Sequence, residues 1–195
     1  MAVGTGYSKP VIAIYSNSGN VVTYTDFSDL GRGVNISLDV TASDINNFYA
    51  DNTVAETAGG VFSSGTGTAT IDGLAPAVAR KILGLSEPRT VQVDGSDVSV
   101  QGYGADEPPF CGFGYIYRHQ NNGAVTYIAT VLPKVKFNPP GRSAETQEES
   151  INWQTQELTF SIYRDDTSNA EWMNESVTEF STETAAYAYL QAALS

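Results

Sequence analysis

One cysteine and one histidine in 195 residues leave little from which to build a reactive or metal-binding site. Cys111 has no second cysteine to pair with, which excludes a disulfide-stapled scaffold. Zinc sites draw mainly on cysteine and histidine, so one of each makes no structural set. Cys111 and His119 fall on one face of a single predicted strand. They lie ~26 Å apart along it, beyond the hydrogen-bond reach that a nucleophilic pair needs. They read as a small buried filler and a polar residue near the strand end. Charge is also scarce, at 16% against about 25% in ordinary soluble domains, and cations are the scarcer sign. Ten Lys and Arg against 22 Asp and Glu give a net charge of −12, a balance that repels nucleic acid. No apolar run approaches the ~20 residues of a membrane-spanning helix. The opening MAVGTGYSKP lacks the basic flank and apolar stretch of a secretory signal, so export is not expected.

What is present is β-like. The chain is 41% hydrophobic, enough to exclude wholesale disorder, and its length suits one domain over residues 1–195. Val34, Ile36, Leu38 and Val40 alternate with polar residues, as do Leu158, Phe160 and Ile162. Between 125 and 137 the odd positions Val125, Tyr127, Ala129, Val131, Val135 and Phe137 make one apolar face. Asp94-Gly95 and Asn122-Gly123 sit between such runs and tolerate the positive φ that tight hairpins demand. A final strand is expected over 172–180. The expected fold is mainly β: an antiparallel β-sandwich of seven to eight strands, with one flanking α-helix and a C-terminal helix.

The flanking helix is read from Leu74, Val78, Ile82 and Leu85 at helical spacing, with Pro76 in the first turn and Gly84 at the end. The C-terminal helix runs from Thr184 to Leu194, capped by Ser181 or Thr182, with Ala186, Leu190, Ala193 and Leu194 as its stripe. Together the last strand and helix form a C-terminal unit over 171–195. Two stretches follow neither period: a long loop over 41–64 with the aromatic pair Phe48-Tyr49 at its centre, and a second over 138–152. Loops of such length inside a compact domain are usually functional or disordered.

Other chemistry is thinly represented. Asp94-Gly95-Ser96-Asp97 lacks the remaining ligands of a calcium loop and reads as a hairpin turn. Gly65-Thr66-Gly67 and Gly112-Phe113-Gly114 lie before or within strands rather than between a strand and a helix, so they mark bends or close approach, not a phosphate cradle. The best enzymatic reading pairs two of Asp106, Glu107, Glu145, Glu148, Glu149 and Glu157 in a glycosidase sandwich, but solvated loop acids explain them more simply.

An ordered series of motifs carries a resemblance. Phe48-Tyr49-Ala50-Asp51-Asn52 follows the 34–40 strand, and Gly65-Thr66-Gly67-Thr68-Ala69-Thr70-Ile71 leads into the first helix, which ends Ile82-Leu83-Gly84. Then come Tyr103-Gly104-Ala105-Asp106-Glu107-Pro108-Pro109, Gly112-Phe113-Gly114-Tyr115-Ile116 and Leu132-Pro133-Lys134-Val135-Lys136-Phe137. Thr146-Gln147, Ile151-Asn152-Trp153 and the Trp172 region close the set. In order and spacing the chain resembles the major tail (tail-tube) proteins of long, non-contractile-tailed bacteriophages. The resemblance implies a structural virion protein with no catalytic activity, cofactor, metal or membrane anchor. It implies hexameric homo-oligomeric rings stacked into a tube, made in the host cytoplasm, that contacts tape-measure and tail-terminator or tail-tip proteins and passes DNA without holding it.

In that setting the 41–64 segment takes the place of the loop that bridges subunits, with Phe48, Tyr49 and Asp51 as its assembly candidates. The alternative for the aromatic pair is that it pins the loop onto its own sandwich. Six subunits giving four strands each would close a barrel of ~24 strands, roughly 48 Å across the backbone and wide enough for a DNA duplex. The rival readings are a carbohydrate-binding or adhesive sandwich on a cell or virion surface, and a secretion-system tube protein.

Overall fold

The computed structural model describes residues 3–104, 106–141 and 154–195. In chain order the elements are β1 (Val3–Ser18), β2 (Val21–Asp29), β3 (Gly33–Ala42), β4 (Asn46–Ala50), β5 (Thr53–Ala58), β6 (Phe62–Ile71), α1 (Pro76–Leu83), β7 (Arg89–Val93), β8 (Ser96–Val100), β9 (Phe110–Asn121), β10 (Ala124–Phe137), β11 (Gln156–Tyr163), β12 (Asn174–Glu175) and α2 (Glu183–Ala193). The fold is mainly β. One antiparallel sheet runs β2-β1-β9-β10-β11-β6-β3, with β12 pairing β10. The β4–β5 and β7–β8 hairpins stand apart from it.

The sheet folds over at β10, the strand that serves both halves. β10 pairs with β9 along almost its whole length but with β11 only from Lys134 to Phe137. The core lies between the halves. Ile12, Cys111, Phe113, Tyr115, Leu132, Val135 and Phe137 from one side meet Ala69, Ile71, Leu158, Phe160 and Ile162 from the other. α1 closes its flank with Ile82 and Leu83. The helix begins with proline at its start and ends at Gly84 in the left-handed conformation (φ 63°), as its sequence pattern requires. α2 packs on the outer face of β1, β9 and β10, where Ala186, Leu190 and Leu194 cover Val11, Ala13, Ile116, Ala129 and Val131. Thr182 caps it by accepting a hydrogen bond from the Ala185 amide, 3.2 Å away. Gly112 and Gly114 of β9 permit that close approach. A Cβ at Gly112 would stand 2.5 Å from Leu194, and one at Gly114 would stand 3.0 Å from Leu190.

Two expectations need correction. The odd positions of 125–137 do not share one face. Leu132 pairs with Phe113 but Val135 pairs with Cys111, so β10 carries one extra residue at Pro133-Lys134. A bulge of this kind reverses the alternation. Ala129 and Val131 therefore face α2, while Val135 and Phe137 enter the inner core. The strand expected over 172–180 shrinks to the two residues of β12 and a single bridge between Phe180 and Tyr127. Between them Ser176 donates its amide to the Ala129 carbonyl and its side chain accepts from the Ala129 amide, so a serine replaces ladder pairing.

The bulge also buries a charge. Lys134, whose side chain is only 14% exposed, donates to Asp166 at 2.7 Å and lies over the rings of Phe110 and Tyr15. The Tyr15 hydroxyl donates to the same carboxylate oxygen at 2.7 Å. The Lys134 hydrogen bond, then that of Tyr15, holds Asp166 below the usual carboxylate range. A depressed folded-state pKa contributes stability above the unfolded value, and that stability is lost as pH falls through the folded one. Asp166→Asn should cost about 1–2 kcal/mol at neutral pH, trimmed by the partial exposure of the carboxylate. Thermal melts of the two proteins should differ at pH 7 and converge as the pH falls through the depressed folded-state pKa of Asp166.

Candidate assembly surface

β3 and β6 leave the sheet together at the pair Ala42–Phe62. Beyond it the two chains form a neck. The Ser43 amide donates to the Val61 carbonyl at 2.7 Å, the Gly60 amide to the Ser43 carbonyl at 3.1 Å, and the Val61 amide to Ser43 Oγ at 3.3 Å. Gly59 and Gly60 hold φ of 114° and 75°, and a Cβ at Gly59 would stand 2.1 Å from the Asp44 carbonyl oxygen, so the neck requires glycine there. Phe62 is fixed below it, stacked on Trp172 at 4.8 Å, with its carbonyl accepting from Arg164.

The neck carries the β4–β5 hairpin, paired from Asn46–Ala58 to Ala50–Thr53. Asp51 and Asn52 make the turn with φ of 50° and 62°, the two positive values of a type I′ turn. Every residue of both strands is exposed. The segment expected as a long loop is thus a hairpin arm that stands off the sheet, reaching ~26 Å from Ser43 to Asp51.

Phe48 and Tyr49 are each 64% exposed, so they do not pin the arm to its own sandwich. As neighbours in a strand they point to opposite faces, Phe48 across from Glu56 and Tyr49 across from Val54. Asp51 stands exposed at the tip. The arm therefore offers one aromatic on each side rather than a single knot.

A cavity of about 560 Å³ lies at the opposite end of the same ladder, where Gly33 pairs with Ile71. Its lining includes Lys9, Asp29, Leu30, Arg32, Asp72 and Ala75. Asp72 accepts from the Arg32 amide at 2.8 Å and from Arg32 Nε at 2.7 Å, contacts that hold its carboxyl below the ordinary range. Asp29 accepts from the Tyr187 hydroxyl at 2.7 Å.

Between these ends, the outward face of β3, β6 and β11 is a grid of hydroxyls. Ser37, Thr68 and Thr159 form one rank and Asp39, Thr66 and Ser161 the next. These three strands carry the acids Asp39 and Glu157 and no lysine or arginine.

The chain matches no protein-family model and no curated protein.

The remaining sequence candidates are dispersed. Cys111 is fully buried, and burial pushes its thiol up to about 12, so it is no nucleophile at neutral pH. His119, at the far end of β9, has Nδ1 3.9 Å from a Glu179 carboxylate oxygen. Glu107 forms an exposed pair with Lys136 at 2.6 Å, Asp106 accepts from the Ser86 hydroxyl, and Glu157 lies on the outward face of β11. Glu145, Glu148 and Glu149 lie outside the described residues, as do Ala105, Thr146-Gln147, Ile151-Asn152-Trp153 and most of the 138–152 loop. Among the described residues no cluster of three His, Cys, Asp or Glu side chains is placed to hold a metal, and no helix is long and apolar enough to cross a membrane.

The hairpin itself was missed in the sequence although its signal, Asp51-Asn52, is a legitimate type I′ pair. Alternation is imposed by one face meeting a core and the other meeting water. Both faces of β4 and β5 meet water here, so no period marks them.

Proposed function

We propose that this chain is a structural protein, not an enzyme, whose copies assemble as stacked hexameric rings into the tail tube of a long-tailed bacteriophage. Tape-measure and tail-terminator or tail-tip proteins are its partners in the virion, and the tube conducts DNA. The observation that carries the reading is the arm: a hairpin held by a closed neck, with two large aromatics exposed to solvent in the single chain. Exposed aromatics on a rigid projection have the character of interface anchors. They stand where the family resemblance puts the loop that bridges subunits.

The hydroxyl grid of β3, β6 and β11 supports the same reading. A wall of serine, threonine and two acids offers a polyanion no cation to bind, so DNA passing along it is not retained. The neighbouring cations Lys134 and Lys136 are already engaged by Asp166 and Glu107. Electron microscopy of the concentrated protein is expected to show rings or tubes with a bore of ~35–40 Å, the width left by side chains inside a closed barrel of this type. Particles that stay monodisperse and featureless under all assembly conditions would overturn the proposal.

A further inference from the structure

One edge of β10 is covered by a strap rather than by a full strand. β9 takes one side of β10 over almost its whole length, but β11 takes the other only from Lys134 to Phe137. Between Tyr127 and Val131 that second edge meets β12 and the segment leading from it into α2. Two backbone ties hold this strap. At the first, the Ser176 amide donates to the Ala129 carbonyl at 2.9 Å, and the Ala129 amide donates to Ser176 Oγ at 3.1 Å. At the second, the Phe180 amide donates to the Tyr127 carbonyl at 2.8 Å, and the Tyr127 amide donates back at 2.9 Å. Val177, between the ties, is 99% exposed and packs on nothing. Thr182, the cap of α2, follows two residues after Phe180.

Glu179 adjoins the second tie, and its carboxylate reaches across β10 toward β9. There Oε1 lies 3.9 Å from Nδ1 of His119. This Nδ1 is buried and has no hydrogen-bond partner among the described residues, a condition that costs free energy. His119 pairs with Gly4 of β1 and Thr126 of β10, neither of which titrates. Tyr117 lies beside it on β9, 6.2 Å away between ring centroids. Arg118, on the opposite face of β9, donates to Thr5. Glu179 is the one charged group paired with this imidazole among the described residues.

We propose that His119 and Glu179 form a pH-operated latch on the strap. Protonation places a hydrogen on Nδ1, and the carboxylate accepts it once the gap closes to the ~2.8 Å of a charge-assisted bond. The strap is then tied at a third point, across β10, and the start of α2 is held with it. Deprotonation leaves only the two backbone ties, so the edge of β10 opens more often and bares unpaired donors and acceptors. The stabilisation is present at pH values where histidine is charged and is lost as the pH rises through the histidine range. The latch lies within one chain and does not depend on assembly.

His119 is the only histidine in the chain, so NMR of its imidazole follows a single titration. On the unassembled protein, hydrogen exchange is measured for the amides of Tyr127, Ser176 and Phe180 between about pH 5.5 and about pH 8, corrected for the intrinsic pH dependence of exchange. Their protection is expected to be about threefold greater at the lower pH, the scale of a partly exposed ion pair. The midpoint should coincide with the imidazole titration. His119→Gln and Glu179→Gln should each hold protection at the high-pH level throughout, while circular dichroism shows both variants folded. Protection in the parent chain that does not change with pH would overturn the latch. So would a pH dependence that survives either substitution, because another group would then be the switch.

Discussion

Replacing Phe48 and Tyr49 together with alanine is expected to abolish assembly while leaving the monomer intact. Both rings are 64% exposed on a hairpin whose own fold is held by backbone pairing, the Asp51-Asn52 turn and the Ser43–Val61 neck. Truncating exposed side chains away from any core changes stability by no more than about 0.5 kcal/mol. Anchors that become buried on docking cost about 2 kcal/mol each when removed, so the pair should weaken association by about 4 kcal/mol, roughly a thousandfold. Light scattering at a concentration where the parent chain assembles, with calorimetry of both proteins, separates the two effects. An unchanged melting temperature with no scattering is the expected outcome; normal assembly would remove the arm from the mechanism.

Gly67→Val is expected to have the largest effect on folding. Gly67 lies between Phe160 of β11 and Leu38 of β3, directly opposite both. A Cβ there would stand 2.3 Å from two atoms of the Phe160 ring and 3.0 Å from Leu38 Cδ2. The ring cannot retreat, because Phe113 and Phe137 lie 5.1 and 5.3 Å from it between centroids, and all three are buried. Three added carbons in a packed core should cost about 3 kcal/mol, a fall of roughly 6–12 °C in the melting temperature for a domain of this size. Phe160→Ala in the same chain should cost less than it does in the parent, because it removes the clash that the valine creates, so the two losses should fall short of their sum. Full additivity of the two substitutions would show that Gly67 is needed for another reason.

Both predictions concern residues whose types are plain in the sequence and whose roles are not. Gly65-Thr66-Gly67 looks the same whether it bends a strand, cradles a phosphate or seats a ring, and only β11 laid beside β6 makes it the seat of Phe160. Phe48-Tyr49 likewise reads as an anchor or as an internal pin until its exposure is known. Where one face of an element meets the core, the pattern was readable. α1, with its proline start and glycine stop, and α2, with its Thr182 cap, lie within a residue or two of their expected bounds. So does β3, read from the alternation over 34–40.

By itself, then, the chain's order of residues determined the elements that bury one face, the hairpin turns at Asp94-Gly95 and Asn122-Gly123, and the poverty of reactive groups. Those features rest on local backbone preference and on the contrast between core and water, which neighbours in sequence share. The tertiary structure alone decided which way β10 turns its side chains after the bulge and that the arm stands free. It also decided that the cavity and the arm occupy opposite ends of one ladder. Each of these depends on strands far apart in sequence being laid side by side, and a one-residue shift in that pairing would reverse the faces that result.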